Sequence, residues 1–109
     1  MNNFYSSFLT PKFQELLKQF EEMIEQGKSV YFDSNDLTCL AEYYASQGKP
    51  KKAEQAIAYA KQLHPDDLDI CIYECNTLLA QGKTDEAIRL LDSLPDQTDY
   101  EVRLLRISI

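Results

Sequence analysis

The three cysteines and the single histidine are the residues of this chain with the most distinctive chemistry. Cys71 and Cys75 are four residues apart, so a helix would present both sulfurs on one face. A structural zinc site needs four ligands, and a catalytic site needs three with water in the fourth position. Cys39 is the remaining thiol, and its predicted position points toward a surface groove and away from the core. Small buried thiols are therefore the favoured interpretation, and a thiol-based metal-binding protein is the least favoured alternative.

The other residues that could support catalysis lack the partners that catalysis needs. His64 lies at a predicted helix end, where the helix dipole favours a cation, and no nucleophile at a strained turn accompanies it. Glu21 and Glu22 are assigned to a solvated helix face, and Asp66 and Asp67 to the first turn of a helix. The sequence contains no glycine-rich phosphate loop and no nucleophile motif. We predict that the protein is not an enzyme, has no catalytic or metal-binding residues and uses no cofactor.

The elements that hold these residues are predicted to be helices. Only four prolines and three glycines are present, and apolar residues recur at intervals of three and four. The hydrophobic fraction of 44% and the length of 109 residues suit one globular domain.

Charge and cysteine content limit the partners and the compartment. The net charge of −7 repels phosphate backbones and anionic headgroups, so we predict no nucleic acid and no membrane as partner. The sequence shows no secretory leader and no apolar run of the ~20 residues that span a bilayer. An odd number of cysteines suits a reducing compartment. A cytoplasmic location is therefore predicted.

An internal repeat is the most informative feature of the sequence. Gln47-Gly48-Lys49 recurs as Gln81-Gly82-Lys83, which is 34 residues later. Ala53 and Ala87 each follow the glycine by five residues. The apolar positions around the two tripeptides keep the same register. We predict two helix pairs, each with a glycine that ends its first helix.

Capping residues set the predicted ends of the remaining helices. Thr10 is predicted to cap a leading helix that ends at Gly27, and Thr84 to cap the second helix of the second pair. Thr98-x-x-Glu101 is a capping-box signature that opens a terminal helix. This last helix is apolar, whereas an end cap should be polar on its outer side. We therefore expect either that the chain is the N-terminal part of a longer repeat protein or that residues 98–109 pack on another copy.

These features together resemble the tetratricopeptide repeat family. Within residues 34–67 the signature positions hold Leu37, Leu40, Ala41, Tyr44, Gly48, Ala53, Ile57, Ala60 and Pro65. Residues 68–95 depart at Cys71, Glu74 and Cys75, and residues 99–109 look like the start of a third repeat with Arg106 where a small residue is usual. The arrangement is also similar to the N-terminal part of longer bacterial proteins of this family.

The resemblance implies an all-α fold. Tandem helix–turn–helix units would stack into a right-handed superhelix, an α-α solenoid, behind a leading N-terminal helix. Within a single domain of residues 1–109, the leading helix and its connection occupy 1–33. The first repeat covers 34–67, the second covers 68–95, and a further helix begins in 96–109.

The resemblance also implies a protein-interaction module, an adaptor or scaffold that binds a peptide or protein segment on its concave face. That face is lined by the first helix of each repeat, and the predicted binding residues are Asn35, Thr38, Glu42, Ser46, Asp69, Ile72, Tyr73, Asn76 and Leu79. Its acidic members disfavour a carboxylate and suit an apolar or basic segment. An alternative role for Ile72 and Leu79 is to pack beneath a neighbouring helix. An alternative function for the protein is that of a homo-oligomer, a dimer that associates through the apolar terminal helix.

Overall fold

The computed structural model describes Phe8 and residues 10–109, and every regular element in this part of the chain is an α-helix. The helices are α1 (Pro11–Gln26), α2 (Ser34–Ser46), α3 (Pro50–Leu63), α4 (Leu68–Ala80), α5 (Thr84–Asp92) and α6 (Tyr100–Ser108). They form two compact units, one that ends at Leu63 and one over His64–Ile109. The prediction of an all-α fold is confirmed. Among the described helices, none is both long enough and apolar enough to cross a bilayer.

The repeated tripeptide builds the same turn in each unit. Gly48 has φ 72° and Gly82 has φ 77°, a left-handed conformation that L side chains adopt only with strain. The lysine after each glycine donates its N–H to a carbonyl in the last turn of the preceding helix. Lys49 donates to Tyr44 at 2.8 Å, and Lys83 donates to Leu78 at 2.8 Å. Because these bonds satisfy carbonyls that the helix end leaves open, the glycines end α2 and α4 as predicted.

Small side chains hold the two helices of the first pair close together. Ala41 on α2 and Ala56 and Ala60 on α3 are fully buried. With only a methyl group at these positions the two backbones can approach closely, while larger side chains fill the ends of the contact. Pro50 is the first residue of α3, where its missing N–H leaves no helical hydrogen bond unmade.

The leading helix α1 packs on this pair through aromatic rings. Phe20 is 2% exposed, and its ring centroid lies 5.9 Å from that of Phe32 and 6.4 Å from those of Tyr44 and Tyr59. Thr10 caps α1 by accepting the N–H of Phe13 at 3.1 Å, as predicted. Burial of an aromatic side chain among rings contributes more than area alone, so α1 is an integral part of the first unit.

Polar contacts accompany this aromatic layer. The Tyr44 ring is buried, and its hydroxyl donates to Glu21 on α1 at 3.0 Å. Lys52 on α3 lies 3.9 Å from the same carboxylate and 5.6 Å from the centre of the Tyr44 ring. Burial, together with the bond to Glu21, raises the pKa of Tyr44 well above its usual range. Glu21 therefore binds a side chain of the repeat, where the sequence suggested only a solvated surface.

The second unit has its own core of Cys75, Leu91, Leu94, Val102 and Leu105. These residues come from α4, from α5 and the segment that follows it, and from α6, so the three helices share one apolar interior. The terminal helix therefore packs on the second repeat through one of its faces.

A polar network ties α6 to α5 and explains the departure at Arg106. The Arg106 guanidinium donates to Asp92 at 2.6 Å and to the Gln97 side chain at 2.6 Å. The Gln97 amide in turn donates to the carbonyls of Leu91 and Leu94, both at 2.8 Å. A small residue at position 106 could make none of these bonds to Asp92 and Gln97.

Two predicted caps in the second unit are wrong by one residue. Thr84 is the first helical residue of α5, and Lys83 occupies the cap position without a side-chain bond. At α6 the cap is Asp99, whose carboxylate accepts the N–H groups of Glu101 at 2.9 Å and Val102 at 3.3 Å. Thr98 instead bonds to the carboxylate of a preceding aspartate. At the start of a helix a carboxylate can accept two amide N–H groups, and its negative charge is stabilised by the positive end of the helix dipole.

The acidic pair before α4 is also placed differently from the prediction. Asp67 is the cap of α4 and accepts the N–H groups of Asp69 at 2.9 Å and Ile70 at 3.4 Å. Asp66 lies before the cap with φ 65°. Aspartate tolerates this left-handed conformation better than most residues, so Asp66 can form the turn that precedes α4. Of the aromatic residues before α1, Phe8 packs between Phe13 and Tyr43, and Phe4 and Tyr5 lie outside the described residues.

Candidate functional site

The predicted binding residues of the first unit lie on α2. Asn35, Glu42 and Ser46 are exposed to solvent. Thr38 is 7% exposed, and its hydroxyl donates to the Asn35 carbonyl at 3.0 Å. Of the four predicted residues on α2, Asn35, Glu42 and Ser46 are therefore accessible to solvent, and Thr38 adds little exposed area.

Carboxylates give this helix a negative field. The pKa of the Cys39 thiol is raised by burial first, and then by the charges of Glu42 and Asp36. The pKa of Glu42 is itself raised, because the surrounding protein removes part of its hydration. Although Glu42 as a whole is exposed, its carboxylate is less well solvated than a carboxylate surrounded only by water. The arrangement favours a positive group near Glu42 and opposes a negative one.

The predicted residues of the second unit lie on α4. Asp69 and Asn76 are exposed, whereas Ile72, Tyr73 and Leu79 are half-buried. Ile72 and Leu79 pack against the core of this unit while keeping part of their area at the surface. The α4 surface therefore combines a carboxylate and an amide with partly accessible apolar side chains.

The cysteines behave as small apolar side chains. Cys75 is fully buried in the second core, and Cys71 packs at the edge of that core. Burial raises the pKa of Cys75, with smaller contributions from Cys71 and Glu74, so its thiol stays protonated at neutral pH. Metal ligation and nucleophilic attack both need the thiolate. Among the residues that the structure describes, no three metal-ligating side chains come together.

Comparison with known proteins identifies the repeat. A sequence model of the tetratricopeptide repeat matches residues 44–105, which is more than half of the chain and runs from the last turn of α2 into α6. No curated protein and no solved structure matched the chain significantly. The matched region contains both glycine turns and the whole of α3, α4 and α5. The chain therefore belongs to the tetratricopeptide repeat family.

Proposed function

We propose that this protein is an adaptor that binds a peptide or protein segment through the exposed faces of α2 and α4. Tetratricopeptide repeats generally mediate protein–protein interaction and are non-catalytic modules. The observation that carries the proposal is the polar and partly apolar surface that α2 and α4 present within their own units. Asn35, Glu42 and Ser46 supply it in the first unit, and Asp69 and Asn76 do so in the second.

The local chemistry of these faces supports binding to a chain segment. Asn76 offers both an amide donor and a carbonyl acceptor, which can pair with the backbone of a bound segment. Tyr73 is half-buried, so one part of its ring is held while another part is accessible. Tyrosine is common at interfaces because it supplies a large contact area and a polar hydroxyl.

Site-specific photocrosslinking tests this proposal. A photoreactive residue is placed singly at Asn35, Ser46 or Asn76, and at Gln62 on α3 or Glu86 on α5 as exposed controls on the second helices. Each variant is irradiated in extract from the native cell, and its adducts are identified by mass spectrometry. We expect one shared adduct from the three α2 and α4 positions and not from the controls. The same adducts at the same yield from all five positions would contradict the proposal.

A second candidate function is self-assembly through α6. Tyr100, Leu104 and Ile107 are 72%, 44% and 81% exposed, and their spacing of four and three residues puts them on one side of the helix. Val102 and Leu105 point the other way into the core. A helix with apolar groups on opposite sides is usually covered on both. This stripe favours the homodimer alternative.

Sedimentation equilibrium distinguishes this candidate. A homodimer through α6 should dissociate in Ile107→Glu, because a carboxylate would be buried without a partner, and persist in Gln62→Glu, which adds the same charge at an exposed position on α3. The three side chains form a small surface compared with the ~800 Å² per partner of a standard interface. We therefore expect weak association. A wild-type chain that stays monomeric at every concentration would exclude this function.

A further inference from the structure

The basic residues of this protein lie outside α2 and α4, the first helices of the two repeats. All eleven Lys and Arg residues lie outside α2 and α4, although these helices together hold 26 of the residues. The second helices and α1 carry both signs of charge. Two cations outside α2 and α4 pair with carboxylates, Lys52 on α3 with Glu21 and Arg106 on α6 with Asp92. Among the described helices, α2 and α4 are thus the two whose charged side chains are all acidic.

The two acidic side chains on the proposed binding faces are Glu42 and Asp69. Among the described residues, no Lys or Arg lies within ion-pair distance of Glu42 or Asp69. Asp36 stands on the same helix as Glu42 and adds to its field, as the raised pKa of the Cys39 thiol shows. Because partial burial weakens the hydration of Glu42, a cation brought to it would meet less competition from water.

The second unit carries most of the negative charge of the chain. Residues 64–109 contain ten acidic and four basic side chains, a net charge of −6, whereas residues 1–63 contain eight and seven, a net charge of −1. Asp69 is exposed on α4 beside the partly accessible Ile72 and Tyr73. A metal ion is a poor occupant of these faces, since the described residues contain no cluster of three ligating groups. A nucleic acid would be repelled by the charge.

We infer that a segment bound by these helices is cationic, with a Lys or Arg side chain placed against Glu42 on α2 or against Asp69 on α4, where apolar residues would meet Ile72 and Tyr73. This inference rests on the proposed function and names the chemistry of its partner. Charge complementarity decides it, because a neutral or acidic segment would leave the carboxylates of both faces unpaired or repelled. Glu42 is then the specificity-determining residue of the first unit.

A peptide selection with the whole protein tests the inference. A phage-displayed library of random linear peptides is panned against the immobilised chain, and the selected peptides are compared with the input library. We expect enrichment of Lys and Arg beside apolar residues. The strongest peptide is then synthesised, and its affinity is measured for the wild type, Glu42→Lys, Glu42→Gln and Glu54→Lys. Glu54 is an exposed carboxylate on α3 and gives the same change in net charge away from the face.

The outcomes separate the inference from the function on which it rests. Glu42→Lys should weaken the peptide about tenfold and Glu42→Gln less, whereas Glu54→Lys should change affinity less than about twofold. A peptide in which only the cation that faces residue 42 is replaced by Glu should regain binding to Glu42→Lys. Selected peptides that lack cations but still suppress the photocrosslink formed at Asn76 would overturn the inference and leave the proposed function standing. Equal losses in Glu42→Lys and Glu54→Lys would also overturn it, and recovery of no binding peptide would count against both.

Discussion

Replacing Phe20 by alanine should destabilise the first unit severely. The side chain is 2% exposed and lies among the rings of Phe32, Tyr44 and Tyr59, with centroid distances of 5.9–6.4 Å. A buried Phe→Ala change typically costs about 3–5 kcal/mol, and three ring contacts place this one toward the upper end. Since small domains are stable by only about 5–15 kcal/mol, much of the margin would be lost.

Urea unfolding followed by circular dichroism measures this loss. With a urea slope of about 1–3 kcal/mol per molar, the midpoint for the first unit should fall by more than about 1 M. Ile24→Ala is the matched control, because Ile24 is on the same helix and 40% exposed, and it should cost less than about 1 kcal/mol. Equal midpoints for wild type and Phe20→Ala would show that α1 does not pack on the repeat and would refute this account of the first unit.

Three further predictions concern single contacts. In a double-mutant cycle, Tyr44→Phe and Glu21→Ala should show a coupling of about 1 kcal/mol in the free energy of unfolding, because the buried hydroxyl donates to that carboxylate; additive losses would disprove the bond. Asp99→Ala should destabilise α6 by about 1 kcal/mol and Thr98→Ala by less, because only Asp99 accepts the first amides of the helix. Thermal unfolding measures both losses, and a larger loss in Thr98→Ala would show that Thr98 is the cap. The Cys75 thiol has a raised pKa and should react with a disulfide reagent only when the pH exceeds the usual thiol range or after unfolding; fast labelling of Cys75 itself in the native protein at neutral pH, located by mass spectrometry, would contradict its burial.

The parts of the fold that the sequence predicted are those determined by local chemistry. Gly27, Gly48 and Gly82 end helices because a left-handed residue is needed there and glycine adopts it without strain. Pro50 begins a helix for an equally local reason. The repeat of 34 residues gives the glycine signal twice, at Gly48 and Gly82, so the helix pairs could be located without any tertiary information.

The caps were harder to predict because neighbouring residues compete for the same role. Thr98 and Asp99 both carry an oxygen that can accept an amide, and Asp99 takes the position because it meets two N–H groups at once. Thr98 then turns to the carboxylate of Asp96. A pattern of residue types does not decide between two adjacent acceptors, whereas the path of the preceding chain does.

Contacts between residues far apart in the sequence could not be predicted, for a different reason. Glu21 and Tyr44 are 23 residues apart, and only the docking of α1 brings them into contact. Thr38 and Leu79 were assigned to a binding face by their position in the repeat, but the first is buried and the second packs partly on the core. The register of a helix gives the direction of a side chain, while its exposure depends on what packs over it.

The most direct test of the central proposal is an NMR titration of the labelled chain with a cationic peptide obtained by selection. The account predicts that amide shifts change chiefly along Ser34–Ser46 and Leu68–Ala80, with Glu42 and Asn76 among the most affected. It also predicts that the changes weaken as salt is raised. Shift changes restricted to Tyr100–Ser108, with α2 and α4 unaffected, would contradict it.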